Sequence, residues 1–283
     1  MIDKAKIQQI PLSSSLYPTC WKKQKDAPPC IYGIGNIQLL QDKHFTIVGS
    51  RRTPVNALKL GKQIAEELTS HFTLVTGTAE GGDTSALEGG LKSGKVIGVL
   101  AGGFSAIPQS NYPLLEEVAK KGLLLALHPF DTPVREFSYG YRNKFIALLG
   151  EGTLVLGASQ KSGALITANY AKKENKKIFA FPYPPHNSAG EGCNALIKQG
   201  GYLTETTADI LNEYHLTYEK KAQPCLTEPQ AKVMALLKEK GEEHLTVLAQ
   251  VLQIPVFQLR AVLSALEMKG LIVSVGGNRF AVI

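Results

Sequence analysis

From Phe45 to about Ala222 the chain alternates short apolar runs with stretches of helical period. No other feature constrains its fold so strongly. The runs are Phe45–Val48, Thr73–Thr76, Val96–Leu100, Leu123–Leu127, Thr153–Leu156 and Ile178–Phe181. Helical patterns fall between them at about 55–71, 84–93, 112–121, 143–150 and 164–174, with another near 193–199. In the first, Ala57, Leu60, Ile64, Ala65 and Leu68 recur at near-helical spacing. Short, β-rich runs of this kind suit strands buried on both faces. Strands that alternate with helices build a parallel sheet covered on each side, through right-handed crossovers. The sequence thus predicts an α/β, Rossmann-like, doubly wound and mostly parallel domain over residues 45–222.

The flanks read differently. Residues 1–44 hold Pro11, Pro18, Pro28, Pro29 and the single tryptophan, Trp21. They are expected to be an irregular N-terminal extension packing on the Rossmann domain. Gly33-x-Gly35 lacks the third glycine and the later acidic residue of a dinucleotide fingerprint, so it is read as structural. A linker, Lys220-Lys-Ala-Gln-Pro224, leads to residues 226–283. There, helices over Thr227–Lys240, His244–Leu252 and Val256–Lys269 precede strands at Leu271–Val275 and Arg279–Val282, a small winged-helix pattern. On its third helix Val256, Phe257, Leu259, Val262, Leu263, Leu266 and Met268 are expected mostly in the core. Arg260 and Lys269 are its only basic residues. That is thin for groove reading and favours a protein-contact or regulatory role over duplex binding.

Composition narrows the class. With 44% hydrophobic and 19% charged residues the chain is globular. Its longest apolar runs are too short to span a bilayer, and Met1-Ile-Asp-Lys4 shows no basic-then-apolar leader. Cys20, Cys30, Cys193 and Cys225 form no CxxC pair, which argues against zinc or a disulfide framework and suits a reducing, cytoplasmic setting. The net charge of +7 is unevenly spread: residues 226–283 carry six Lys/Arg against five acids. An anionic partner therefore belongs to the large domain.

Strand-end loops converge on one edge of a parallel sheet, where such folds bind ligands. Gly49-Ser-Arg-Arg52 ends the first strand. Free N–H groups at a helix start favour an anion, and two guanidiniums match phosphate oxygens in a planar fork. A turn with two solvated arginines is the plainer reading. Three more loops follow strands: Thr76-Gly-Thr-Ala-Glu-Gly-Gly-Asp83, whose Gly77, Gly81 and Gly82 would let backbone bend closely around a ligand; Leu100-Ala-Gly-Gly103; and Gln160-Lys-Ser-Gly-Ala-Leu-Ile-Thr167. Tyr139-Gly-Tyr-Arg-Asn-Lys144 adds two aromatics beside two cations and an amide. An anion-binding rim with adjacent aromatics suits single-stranded nucleic acid. Enzyme readings find less support. There is no Gly-x-x-x-x-Gly-Lys-Ser/Thr and no metal-type histidine spacing. Ser162 reads as a helix cap before it reads as a nucleophile, and Asp83 as an N-cap or dipole partner before a general base.

Several of these segments, in this order, resemble the DNA-processing protein A (DprA/Smf) family: Gly49-Ser-Arg51, the Gly77…Gly81-x-Asp83 loop, and Leu100-Ala-Gly-Gly103 with Pro108 and Asn111. Arg142-Asn-Lys144, Lys161-Ser-Gly-Ala-Leu-Ile-Thr-Ala168 and Gly192-Cys-Asn-Ala-Leu-Ile-Lys-Gln-Gly200 complete the series. The resemblance spans about residues 10–205. It implies an extended Rossmann fold with a C-terminal winged helix that binds single-stranded DNA without catalysis and needs no cofactor or metal. It also implies a homodimer that protects incoming DNA in natural transformation and helps load the recombinase RecA. By position, Gly49, Ser50, Arg51 and Arg52 would form the main phosphate pocket, with Gly77 and Gly81 in the adjoining loop. Arg142, Asn143 and Lys144 would line the strand's path beside Lys161, Ser162 and Gly163. Asn194 matches a family asparagine of structural character. Glu80 and Tyr141 stand where basic residues are frequent, Leu87 where histidine is usual, Gly157 where an acid is common and Tyr183 where glycine usually follows proline. Two other readings remain: a nucleotide-binding or phosphoribohydrolase-like enzyme on a related scaffold, and a duplex-binding regulator acting through the winged helix.

Overall fold

The computed structural model describes residues 3–218 and 226–282. The chain divides into two units, Met1–Tyr218 and Glu219–Ile283. The proposed linker Lys220–Pro224 and Cys225 lie outside the described residues.

In the first unit β1 (Gln8–Pro11), α1 (Thr19–Lys22) and β2 (Cys30–Gly35) precede β3 (His44–Val48). Alternation then runs through α2 (Val55–Leu68), β4 (Thr73–Thr76), α3 (Gly82–Gly90), β5 (Val96–Leu100), α4 (Tyr112–Lys121) and β6 (Leu123–Ala126). It continues with α5 (Glu136–Leu149), β7 (Gly152–Val155), α6 (Gly163–Lys173), β8 (Lys177–Ala180), α7 (Glu191–Lys198), β9 (Tyr202–Leu203) and α8 (Thr207–Glu213). Among the described residues nine strands form one sheet in the order β1-β2-β6-β5-β4-β3-β7-β8-β9. From β6 to β9 every pairing is parallel. The doubly wound expectation is met, and all six strands read from the sequence are present.

Strand pleat separates two cores. On β3, Phe45 and Ile47 face α2, α3, α4 and α8, with Ile64, Leu68, Leu87 and Leu115 fully packed. Val48 faces α5, α6 and α7, with Phe145, Ala168 and Leu196. Thr46, on that same side, donates from Oγ1 to the Ile146 carbonyl (3.0 Å), which ties β3 to α5. Lys176 Nζ donates to the carbonyls of Ala147, Leu148 and Gly150 and so satisfies the buried C-terminal end of α5.

Two expectations need correction. Residues 1–44 are not merely irregular: β1 and β2 extend the sheet antiparallel, with β2 paired to β6. Trp21 is fully buried, its Nε1 donates to the Phe145 carbonyl (2.9 Å), and its ring meets Phe145 edge-on at 5.3 Å. Period-2 patterning is weak in Cys30–Gly35 because both faces are covered and two of its six residues are glycines. Gly35, at φ +111°, lies where a Cβ would meet the Gly122 carbonyl at 2.2 Å, so its role is structural as expected. Second, α5 begins at Glu136, seven residues before the expected start. Exposed Phe137 and Tyr139 and the helix-weakening Gly140 hide its first turns, which Ser138 caps by accepting from Arg135 N (3.1 Å).

The second unit comprises α9 (Glu228–Lys240), β10 (Glu242–His244), α10 (Leu245–Leu252), α11 (Val256–Met268), β11 (Ile272–Gly276) and β12 (Arg279–Val282), with a sheet ordered β10-β12-β11. β10 occupies residues whose sequence gave no strand signal. On α11 Leu259, Leu263 and Leu266 are buried in the core, at i, i+4 and i+7, and half-buried Val262 packs against it. Phe257 is 73% and Met268 90% exposed, contrary to expectation, because they lie off that stripe.

Candidate functional site

The sheet order reverses at β3, whose neighbours β4 and β7 lie in opposite directions along the chain's winding. This is the switch point at which doubly wound sheets bind ligands. A cleft of about 500 Å³ opens there.

Its floor is the Gly49–Arg52 loop. Ser50 N donates to the Gly157 carbonyl (2.8 Å), and Thr53 Oγ1 and N both return to the Ser50 carbonyl (2.8 and 3.2 Å). Arg52 N donates to Ser50 Oγ (3.2 Å). The backbone is thereby fixed while the Arg51 and Arg52 side chains stay exposed, with no hydrogen-bond or ion-pair partner among the described residues. Glycine is required beneath the loop. Gly49 and Gly82 approach so closely that a Cβ on Gly82 would lie 2.3 Å from Gly49 Cα.

The opposite wall is the start of α6. Ser162 is its N-cap and accepts from Ala164 N (3.3 Å), which makes the capping reading of Ser162 the observed one. Gly163, Ala164 and Thr167 follow on one helical face, and Ser159, Ser188 and Ala189 close the rim. Thr167 Oγ1 is buried with no hydrogen-bond partner. Asn143 lines the cleft but spends its amide on the Gly163 carbonyl (3.1 Å), joining α5 to α6.

Arg142 forms the third side. It is 4% exposed, its Nη1 lies 3.4 Å from Asp83 Oδ2, and its Nε has no partner. Asp83 also accepts from Ala79 N (3.3 Å); burial pushes its carboxyl up against the downward pull of Arg142. Asp83 is thus the ion-pair and first-turn partner rather than a free base. Tyr139, one turn before Arg142, also lines the cleft and is 41% exposed.

The expected residues are therefore sorted. Gly49, Ser50, Arg51, Arg52, Arg142, Asn143, Ser162 and Gly163 meet at one cleft. Gly77 and Gly81 make room instead of contacting it. A Cβ on Gly77 would lie 1.6 Å from Arg142 Nη1, and one on Gly81, at φ +89°, 2.4 Å from the Ser50 carbonyl. Lys161 is exposed but is not among the lining residues. Lys144 belongs elsewhere: its amine is paired with Asp26, beside the Tyr141 hydroxyl donating to the Asp26 carbonyl (2.7 Å). Arg142 and Lys144 sit in a helix, not a loop, and two residues turn the side chain by roughly 200°. Asn194 clamps Tyr183, accepting from its N (3.0 Å) and donating to its carbonyl (2.9 Å), a structural role. Thr167, the last residue of the Gln160–Thr167 segment, lines the cleft through its i+4 relation to Gly163, whereas Ser159 and Ser188 carry no comparable signal in the sequence.

The model of the family described as DNA recombination-mediator protein A matches residues 8–215. This chain belongs to that family. It is 34% identical over 215 residues to DNA processing protein DprA of Bacillus subtilis, covering 73% of this chain and 71% of that protein. It is 32% identical over 213 residues to DprA of Streptococcus pneumoniae, covering 73% and 75%. The crystal structure of the pneumococcal protein superposes with a TM-score of 0.70 at 29% identity, covering 78% and 80%. A Helicobacter pylori DNA processing protein A, described for its single-stranded DNA binding mode, gives 0.68 at 25% identity, covering 76% and 98%. The family resemblance read from the motifs is borne out, and with it a protein of DNA processing and recombination. No single described helix is long and apolar enough to cross a membrane.

Proposed function

We propose that this protein binds single-stranded DNA by its backbone phosphates in the Gly49–Arg52 cleft and catalyses no reaction on it. In this reading it works in the cytoplasm as a homodimer, protects incoming DNA in natural transformation and helps load RecA. One observation carries the proposal: at the switch point, two unpaired guanidiniums face the N-terminus of an eleven-residue helix across one cleft. The α6 dipole and the free N–H groups of its first turn favour an anion. Arg51 and Arg52 supply net charge, because Arg142 shares its own with Asp83. Exposed Tyr139 offers a face for a base. Phosphate contacts position a strand without reading it. The C-terminal unit is read as a winged helix with a protein-contact role: Lys269 Nζ is tied to Gln230 (2.8 Å) and Arg279 to Glu242 (3.0 Å), while Phe257 stands exposed.

Anisotropy titration of labelled oligo-dT and a matched duplex at two salt concentrations tests this. Tight, salt-sensitive binding to the single strand is expected. Arg51→Ala/Arg52→Ala should weaken it by about 1.5–3 kcal/mol per lost charge-assisted contact and flatten the salt slope by roughly 0.7 per phosphate released. Unchanged binding by the double variant removes the cleft from the account, and preference for the duplex moves it to the C-terminal unit.

A further inference from the structure

A second cavity, of about 410 Å³, adjoins the phosphate cleft and shares Arg51, Ala79, Tyr139 and Arg142 with it. Away from that shared wall its lining turns apolar, through Leu100, Ala101, Ala106, Pro108 and Val134. Backbone closes it closely. A Cβ on Gly103 would lie 2.2 Å from the carbonyls of both Pro129 and Phe130, and Gly103 N donates to the Thr132 carbonyl (2.8 Å).

One carboxylate, Glu80, stands in this lining. It accepts from Ser110 Oγ (3.2 Å), while Asn111 Nδ2 donates to the Thr78 carbonyl (2.8 Å) beneath it. Cations, an apolar wall and a carboxylate thus meet in one cavity. A nucleotide carries the complementary groups: an anionic phosphate, apolar base faces and a hydrogen-bonding edge. A carboxylate only accepts hydrogen bonds. Guanine alone among the DNA bases presents two adjacent N–H donors, N1–H and N2–H, on its pairing edge. Adenine and cytosine offer one amino group beside an acceptor, and thymine one N–H between two carbonyls.

We propose that this cavity takes one unstacked base of the bound strand and that Glu80 makes guanine the preferred base. The inference rests on the phosphate-binding reading and adds to it a contact that reads sequence, where phosphate contacts cannot.

The test uses the full chain and short labelled dT oligomers in which one thymine at a time is replaced by guanine, hypoxanthine or adenine. A single guanine per strand avoids self-association. At the best position guanine should bind roughly tenfold tighter than thymine, the scale of a good bidentate base contact. Hypoxanthine, which lacks the N2 amine, should fall between, and adenine should match thymine within about twofold, since stacking alone would favour both purines. In Glu80→Gln and Glu80→Ala the guanine preference should vanish while dT binding and its salt dependence persist. Glu80 is exposed, and an unchanged melting temperature verifies that the fold is intact. Equal affinity of the intact protein for all four strands, with salt-sensitive binding retained, overturns the base pocket and leaves the phosphate reading standing. Guanine preference that survives both Glu80 variants overturns the assignment to this residue. Absence of any single-strand binding overturns both.

Discussion

Trp21 decides whether the first forty residues are an appendage or part of the fold. The ring is fully buried against Phe145 and Tyr17, and its Nε1 holds the Phe145 carbonyl at 2.9 Å. Trp21→Ala empties a core site, and truncations of that size cost about 3–5 kcal/mol. The Phe145 carbonyl lies within α5 and keeps its helical bond, so the indole hydrogen bond adds only about 1 kcal/mol, inside that range. For a unit of this size each kcal/mol lowers the melting temperature by about 2–4 °C, so a fall of roughly 6–20 °C is expected. Trp21→Phe keeps the edge-on aromatic packing, loses the hydrogen bond and some volume, and should cost about 1–2 kcal/mol. Calorimetry of the large-unit transition measures both. Two results would refute the reasoning: a melting temperature within 2 °C of wild type, or an unchanged main transition in which only residues 1–44 lose hydrogen-exchange protection. The second would mean that β1 and β2 open independently of the parallel sheet.

Lys144→Ala should leave single-strand affinity within about twofold and stability within about 1 kcal/mol, because its amine is already paired at a partly exposed site; a tenfold loss in an anisotropy titration would put Lys144 back on the strand's path. Gly77→Ala should destabilise by at least about 1–3 kcal/mol, as overpacking against Arg142 demands, and Arg142→Met in the same chain should recover part of it in denaturant titrations. His44 supplies a pH dependence. Its Nε2 donates to the Leu39 carbonyl (2.8 Å), and burial holds the imidazole below its ordinary value of 6.5. The unfolded chain therefore takes up the proton first, so stability is full above 6.5 and falls as pH drops through 6.5 toward the folded value, by up to about 1.4 kcal/mol per pH unit. His128 is shifted in the same direction by burial. His44→Gln, which keeps a donor for Leu39, should remove its share of that slope in urea titrations between pH 5 and pH 7.

The parallel strands were legible because each is a short apolar run buried on both faces, and burial writes itself into the run regardless of its partners. Gly49-Ser-Arg-Arg52 was legible for a related reason: a strand that stops on glycine before two arginines needs little beyond its own geometry. What failed to show was what depends on partners. Cys30–Gly35 acquires its strand from β6, about ninety residues away in sequence, and its own composition argues weakly for any element. The first turns of α5 carry exposed aromatics and a glycine, so their helicity rests on packing that a local pattern does not contain.

The alternating fold, the phosphate-suited loop at a strand end and the membership in a family of DNA-processing proteins were legible in the chain itself. Those properties follow from periodicity and from motifs that carry their geometry locally. Tertiary structure alone decided which residues share the cleft. Helical phase turned Arg142 toward Asp83 and Lys144 toward Asp26, and close backbone approach made Gly77 and Gly81 spacers. Glu80 came to line a partly apolar cavity because four strand-end loops, after β3, β4, β5 and β6, meet there. Spacing along a chain fixes direction only once the axis of each helix and its neighbours are known, and these are set by contacts between residues far apart in sequence.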